Sequence, residues 1–357
     1  MVPKALVLVA LALVTVLWSS VATEQDSGGA GQPPSLVALA PDVNARLISL
    51  ERAQRILFDA LVAWNGRVDE VSVLARMTSV ISDAARSARP NPDADEGFSA
   101  LGEPAAEVIG RAHVFHREVV AAFAGSRSLA ERKEALDEAV RRYRSPAGRA
   151  LPDAPKDMTI LYDHPYSSFV PPTPPEKEPR RELAYPALTG FMWSAHWYEL
   201  AVLEPFESVD AAERGRALAI VADRFQRKLS FGAAPDAFPT ELPLTPAIAP
   251  GLALTHERAA SIIDNLNLML DVLADVLVHP DVSNRQAAVN DVIAQFTDRA
   301  YRCVQGEEWM VVALRHSIFA QGGPALATMA TYERNAFSGN HGQHYGPRRA
   351  PPPCDPE

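Results

Sequence analysis

Residues 43–81 read VNARLISLERAQRILFDALVAWNGRVDEVSVLARMTSVI, and the fold class follows first from this stretch. Its apolar residues recur at alternating steps of about three and four, the spacing that places side chains on one face of an α-helix with a coiled-coil-like period. Only Gln54 and Thr78 interrupt the apolar stripe, which consists of Val43, Leu47, Leu50, Leu57, Leu61, Trp64, Val68, Val71, Leu74 and Ile81.

The pair Asn65-Gly66 lies in the middle of this stripe. Because Asn-Gly pairs usually turn the chain, we predict a helical hairpin arm over residues 41–88 rather than one long rod. An exposed stripe of this size would be a large apolar patch, so we expect it to be buried against another helix. Burial against a partner protein would make the arm a docking element.

The rest of the chain also follows the helical period, with almost no strand-like alternation. A linker over residues 89–104 precedes a helical bundle over residues 105–337, and a polar tail over residues 338–357 is expected to be disordered. Prolines concentrate in residues 145–186 and 235–250, which should form extended loops on the surface. The predicted fold is all-α, a helical bundle of about seven to nine helices with long Pro-rich surface loops.

Composition excludes several classes of protein. The chain has 34 Lys plus Arg against 44 Asp plus Glu, a net charge of -10, so we expect no nucleic-acid partner. It has no phosphate-binding loop, dinucleotide fingerprint, nucleophile elbow or zinc-protease motif. With Cys303 and Cys354 as its two cysteines, it is neither a dense disulfide scaffold nor a Cys-rich zinc module. The two could pair with each other, or remain a buried thiol and an exposed one.

The first residues have the pattern of an export signal. Lys4 precedes an apolar run over residues 5–18, and Ser20-Val21-Ala22 has the small-x-small form that signal peptidase cleaves. We expect a signal peptide over residues 1–22 and a flexible tether over residues 23–40; the alternative is an uncleaved membrane anchor. Either reading predicts an exported protein, periplasmic or extracellular.

Residues 188–203 carry the most informative side chains. At 100° per residue, Met192, His196, Glu199 and Leu203 share one face of a helix that is apolar nearly all round. A buried carboxylate needs a partner, and His-x-x-Glu on one face can offer an imidazole and a carboxylate to one metal ion. The alternative is that an Arg, a Tyr or His196 itself satisfies Glu199 without a ligand.

Histidines on two other predicted helices extend this metal hypothesis. His116 lies at the centre of an apolar face on the helix predicted over residues 105–124, with His113 at its edge, and His316 lies on another apolar helix. His116, His196, His316 and Glu199 would together suit iron, zinc or copper in the core of a bundle.

The six residues Ser194-Ala195-His196-Trp197-Tyr198-Glu199 resemble the Gly-x-His-x-x-Glu motif of the imelysin-like family, with Ser194 where that family has glycine. The resemblance implies a helical exported protein, since the family includes periplasmic iron-uptake components.

Three functions remain open from the sequence. The first is metal binding through His196 and Glu199, with His116 and His316 as further ligands. The second is a non-catalytic scaffold that docks through the arm at residues 41–88. The third is a helical enzyme in which His196 and Glu199 act as base and orienting group.

Overall fold

The computed structural model describes residues 35–63, 68–87, 97–145, 149–158, 160, 184–231, 242–279 and 282–316. At residues 84–87, 230, 231 and 314–316 it describes the backbone alone. The predicted signal peptide and tail lie outside these residues. No helix within the described ranges is long and apolar enough to cross a membrane.

Helices account for most of the described chain, and the predicted all-α class is confirmed. Nine of the described helices have eleven or more residues, and three are short. The long ones are α2 (Pro41–Ala63), α3 (Glu70–Ser87), α4 (Glu103–Gly125), α5 (Leu129–Tyr143), α6 (Pro186–Ala201), α7 (Ala211–Phe231), α10 (Glu257–Val278), α11 (Arg285–Thr297) and α12 (Gly306–His316). The short ones are α1 (Leu36–Leu39), α8 (Thr245–Ile248) and α9 (Pro250–Thr255).

Helices α2 and α3 occupy the stretch predicted as a hairpin, and they pack against each other. Leu50, Leu57 and Leu61 are buried within the chain, where α2 also meets α4, α6 and α10. The described residues belong to one compact unit. Most of the described stripe is therefore covered by the protein's own helices, whereas Val71 on α3 is 79% exposed.

Helix α10 runs through the centre of the described structure. Every residue from Ala259 to Val278 is buried. The helix starts where the His256 side chain accepts a hydrogen bond from the amide of Ala259, and it ends at His279. A helix buried on all sides must satisfy any polar side chain it carries within the protein, which makes its Asp and Asn residues informative.

Residues 149–158 differ from the predicted surface loop, because most of them are buried. The Asn265 side chain on α10 holds this segment: it accepts from the Lys156 amide at 2.9 Å and donates to the carbonyls of Pro152 and Ala154, both at 2.9 Å. Together with the backbone hydrogen bonds of Pro155 and Asp157 to Val304 and Arg302, Asn265 lets the proline-containing segment lie inside without losing backbone hydrogen bonds.

Other boundaries also differ from the sequence reading. Residues 36–39 of the predicted tether form a helical turn with Leu36 buried, and residues 99–101 of the predicted linker form a 3-10 turn with Leu101 buried. The second Pro-rich break includes α8 and α9, each with a proline in its first turn. Helix α5 is capped by Ser128, whose Oγ accepts a hydrogen bond from the amide of Glu131.

Candidate functional site

Helix α6, which carries the His-x-x-Glu pair, is buried around nearly its whole circumference. Its first amides would lack acceptors, but Glu70 of α3 supplies one: Glu70 Oε1 accepts from the amides of Ala187 at 2.6 Å and Leu188 at 3.0 Å. A carboxylate at a helix N-terminus also interacts favourably with the helix dipole. Helix α6 is thereby fixed in position along its axis.

Glu199 is buried, as the sequence predicts, with 2% of its surface exposed. Its side chain accepts a hydrogen bond from Gln54 of α2, with Nε2 and Oε1 3.2 Å apart. Within the described residues it forms no ion pair with Arg or Lys, so the cationic partner expected from the sequence is replaced by an amide and a nearby histidine. Burial raises the pKa of Glu199 to about 7, and the adjacent His196 opposes that rise.

His196 is fully buried beside a carboxylate that the sequence analysis did not consider. Its Nδ1 lies 3.5 Å from Oδ2 of Asp271, on the central helix α10. At that distance Nδ1 forms at most a long contact with Asp271 rather than a regular hydrogen bond, and Nε2 has no partner. Burial lowers the pKa of His196, but the negative charges of Asp271, Glu199 and Asp264 outweigh it, and the net pKa is raised.

His116 and His113 approach the same region from α4. His116 donates from Nε2 to the backbone carbonyl of Glu199 at 2.9 Å, so this nitrogen is occupied in joining α4 to α6. His113 Nε2 has no partner, although the ring packs on Phe98 with centroids 5.5 Å apart. Burial, with the charges of Arg117 and His196, lowers the pKa of His113 to about 3. His113 is therefore a neutral imidazole at physiological pH.

Helix α10 presents a polar face toward this region. At 100° per residue, Asp264, Asn267, Asp271 and Asp275 fall within about 80° of one another. Asp264 is well satisfied, because it accepts from the Thr245 amide at 3.0 Å, from the Thr245 hydroxyl at 2.6 Å and from Trp309 Nε1 at 3.0 Å. Asn267, by contrast, has no partner at either side-chain atom.

Unpaired polar atoms accumulate in this part of the core. We call Gln54, His113, His196, Glu199, Asn267 and Asp271 the polar cluster. Buried polar groups are nearly always hydrogen-bonded, and each exception calls for an explanation. The unpaired atoms of the cluster are Gln54 Oε1, His113 Nε2, both ring nitrogens of His196, both side-chain atoms of Asn267 and Asp271 Oδ2. The cluster thus concentrates unpaired donors and acceptors in one buried region.

The structure brings some of the predicted metal ligands together and does not describe others. His196 and Glu199 lie together in the polar cluster, and His116 touches it through the Glu199 carbonyl. The His316 side chain lies outside the described side chains. Cys303 is buried and disulfide-bonded, while Cys354, its predicted partner, lies outside the described residues.

No family model, curated protein or solved structure matches this chain. The polar cluster must therefore be interpreted from its own geometry. Among the described residues, no three His, Cys, Asp or Glu side chains are already arranged to hold a metal ion.

Gln54 and Asp271 were not predicted from the sequence as members of the site, although each is a polar residue at an otherwise apolar position. Gln54 interrupts an otherwise apolar helical stripe, and Asp271 stands in an apolar helix where a carboxylate is costly to bury. A search for polar residues at core positions, rather than for metal motifs, would have found both.

Acid should destabilise the protein through His113. In an unfolded chain this histidine gains a proton below its ordinary pKa of 6.5, whereas in the folded protein it does so only near 3. The stability it contributes is present above pH 6.5 and is lost as the pH falls toward 3, amounting to about 3 kcal/mol at pH 4. The pH dependence of the stability that Glu199 and Asp264 contribute is opposite to that of His113. Their pKa values are raised to about 7, so the stability they contribute is lost as the pH rises through 7.

The His113 contribution is separated by comparing wild type with His113→Leu in urea unfolding at pH 7 and pH 4. We expect the free-energy difference between the two proteins to shift by about 3 kcal/mol in favour of the variant at pH 4. Equal shifts for both proteins would contradict the assignment.

Proposed function

We propose that this protein binds one divalent transition-metal ion in the polar cluster, with His196, Glu199 and Asp271 as ligands. The observation that carries the proposal is the set of buried, unpaired atoms that α6 and α10 bring together around His196. Imidazole nitrogen and carboxylate oxygen are donors that zinc, iron and copper accept in proteins.

Charge supports a cation over a neutral guest. Within the described residues, the ionisable group that can offset the negative charge of both Glu199 and Asp271 is the buried His196. Uncompensated buried charge is costly, and the raised pKa of Glu199 reflects that cost. A divalent ion would neutralise both carboxylates and release protons, so its binding should be linked to pH.

Binding requires side-chain movement. His196 Nδ1 and Asp271 Oδ2 are 3.5 Å apart, and a zinc ion bound to both would need nitrogen and oxygen at about 2.0–2.2 Å from the metal. Rotation of the His196 ring or of the Asp271 carboxylate would allow both side chains to coordinate the same metal ion. His113 is a candidate for a further ligand, because its imidazole is neutral and its Nε2 is unpaired.

The test is calorimetric titration of chelator-stripped full-length protein with Zn²⁺ at neutral pH. We expect one ion per chain, and a loss of affinity of about 100-fold or more in Glu199→Gln and in Asp271→Asn, because each variant removes an anionic ligand. Glu134→Gln is the matched control, since Glu134 is an exposed glutamate on α5.

Two results would contradict the proposal: absence of stoichiometric binding by wild type, or equal affinity in all four proteins. Circular dichroism of each variant shows whether the helical fold is retained. A metal that binds wild type should also raise its melting temperature, and a chelator should reverse the rise.

We also propose that the protein is exported. Support comes from the sequence alone: Lys4, the apolar run that follows it and Ser20-Val21-Ala22. We expect N-terminal sequencing of exported protein to begin at Thr23. An intact Met1 in the membrane fraction would instead indicate an uncleaved anchor.

A further inference from the structure

A second unusual group lies where α7 packs on α6. Lys228 of α7 has only 4% of its surface exposed, and its ammonium lies over two indole rings. Lys228 Nζ is 4.8 Å from the ring centroid of Trp193 and 4.6 Å from that of Trp197. Such cation–π contacts offset part of the cost of removing an ammonium from water.

Lys228 and Trp197 each carry a hydrogen-bond donor that has no acceptor among the described residues. Within the described residues, Lys228 forms no ion pair, and the charged group that acts on it is the like-charged Arg224. The indole N–H of Trp197 is buried without a hydrogen-bond partner. Burial lowers the pKa of Lys228 to about 8, so the side chain still carries its charge at pH 7. Within the described residues, a buried ammonium and an indole N–H of the ring beneath it thus both lack an anionic partner.

We propose that Lys228 and Trp197 form a binding site for a small carboxylate anion. The ammonium lies over the face of the ring that carries Trp197 Nε1, and a carboxylate at the edge of that ring would accept a hydrogen bond from each donor. Each carboxylate oxygen would accept one hydrogen bond at about 2.7–3.0 Å. The carboxylate would also supply the counter-charge that the ammonium lacks.

This site is independent of the polar cluster. On α6, Trp193 and Trp197 are turned roughly 100° away from the face that carries His196 and Glu199. The anion proposal and the metal proposal do not depend on each other, so either can fail without affecting the other.

The experiment follows the indole N–H signals of uniformly ¹⁵N-labelled full-length protein during titration with sodium acetate, in the presence of chelator. Sodium chloride at equal ionic strength is the control titration. The five tryptophans give up to five such signals, and Trp197→Phe identifies the one from Trp197. We expect acetate to move that signal in a saturable way, while chloride leaves it in place.

Variants then locate the anion. Lys228→Met keeps the length of the side chain without its charge, and we expect at least a tenfold weaker response of the Trp197 signal. An unchanged position of the Trp309 indole signal, whose N–H donates to Asp264, would show that the core is intact. Glu199→Gln should bind acetate as wild type does.

A Trp197 signal that acetate does not move would overturn the proposal. So would equal responses in Lys228→Met and wild type, which would show that the anion does not use the ammonium. Saturation by chloride at the same concentrations would likewise show that the site does not recognise a carboxylate.

Discussion

Asn265→Ala is expected to lower the free energy of unfolding by about 3–4 kcal/mol, one of the largest effects of any single substitution in this protein. The Asn265 side chain makes three hydrogen bonds to the backbone of residues 152–156. Alanine would leave one amide and two carbonyls inside the protein without partners, and each unpaired group costs about 1–3 kcal/mol.

Asn267→Ala is the matched control, because Asn267 lies two residues away on the same buried helix and its side chain has no partner. Removing unpaired polar atoms should change stability by less than about 1 kcal/mol. Urea unfolding of both variants measures the contrast. Similar losses in the two would show that side-chain volume, rather than hydrogen bonding, accounts for the effect.

Lys156→Met is the second large expected change, with a loss of about 3 kcal/mol. Lys156 Nζ donates to three backbone carbonyls at the C-terminal end of α11. Gln295, at 3.1 Å, lies in the last turn of the helix, and Asp298 at 2.6 Å and Tyr301 at 2.5 Å follow it. Burial lowers the pKa of Lys156 to about 8, so it remains largely charged at pH 7 and interacts favourably with the negative end of the helix dipole.

Methionine retains most of the apolar stem of Lys156 and removes only its donors. Lys133→Met on the exposed face of α5 serves as the control, and we expect its stability to stay within about 0.5 kcal/mol of wild type. Thermal or urea unfolding gives both values. A Lys156→Met protein as stable as the control would mean that the three carbonyls find other partners.

Helical periodicity predicted most of the fold because it depends on local spacing. The positions of α4, α5 and α6 follow from apolar residues at steps of three and four and from caps such as Ser128. Residues 149–158 could not be placed in the same way. Their burial depends on Asn265, more than a hundred residues later in the chain, and no local pattern encodes a partner at that distance.

The candidate site, like the fold, could be predicted from the sequence only in part. The His196 and Glu199 spacing indicated that both lie on one buried face, and the structure brings them into one cluster. Their surroundings depend on tertiary packing: Gln54 comes from α2, His113 from α4 and Asp271 from α10. A sequence read one helix at a time shows which residues are costly to bury, but not which of them meet.

The complete burial of α10 has a consequence for hydrogen exchange. Amide protons on a helix with an exposed face exchange through local opening, whereas those of Ala259 to Val278 have no solvent-facing side from which opening could begin. Their exchange should therefore require unfolding of the whole described core. The slowest amides of this protein should lie on α10, and their rates should report its global free energy of unfolding.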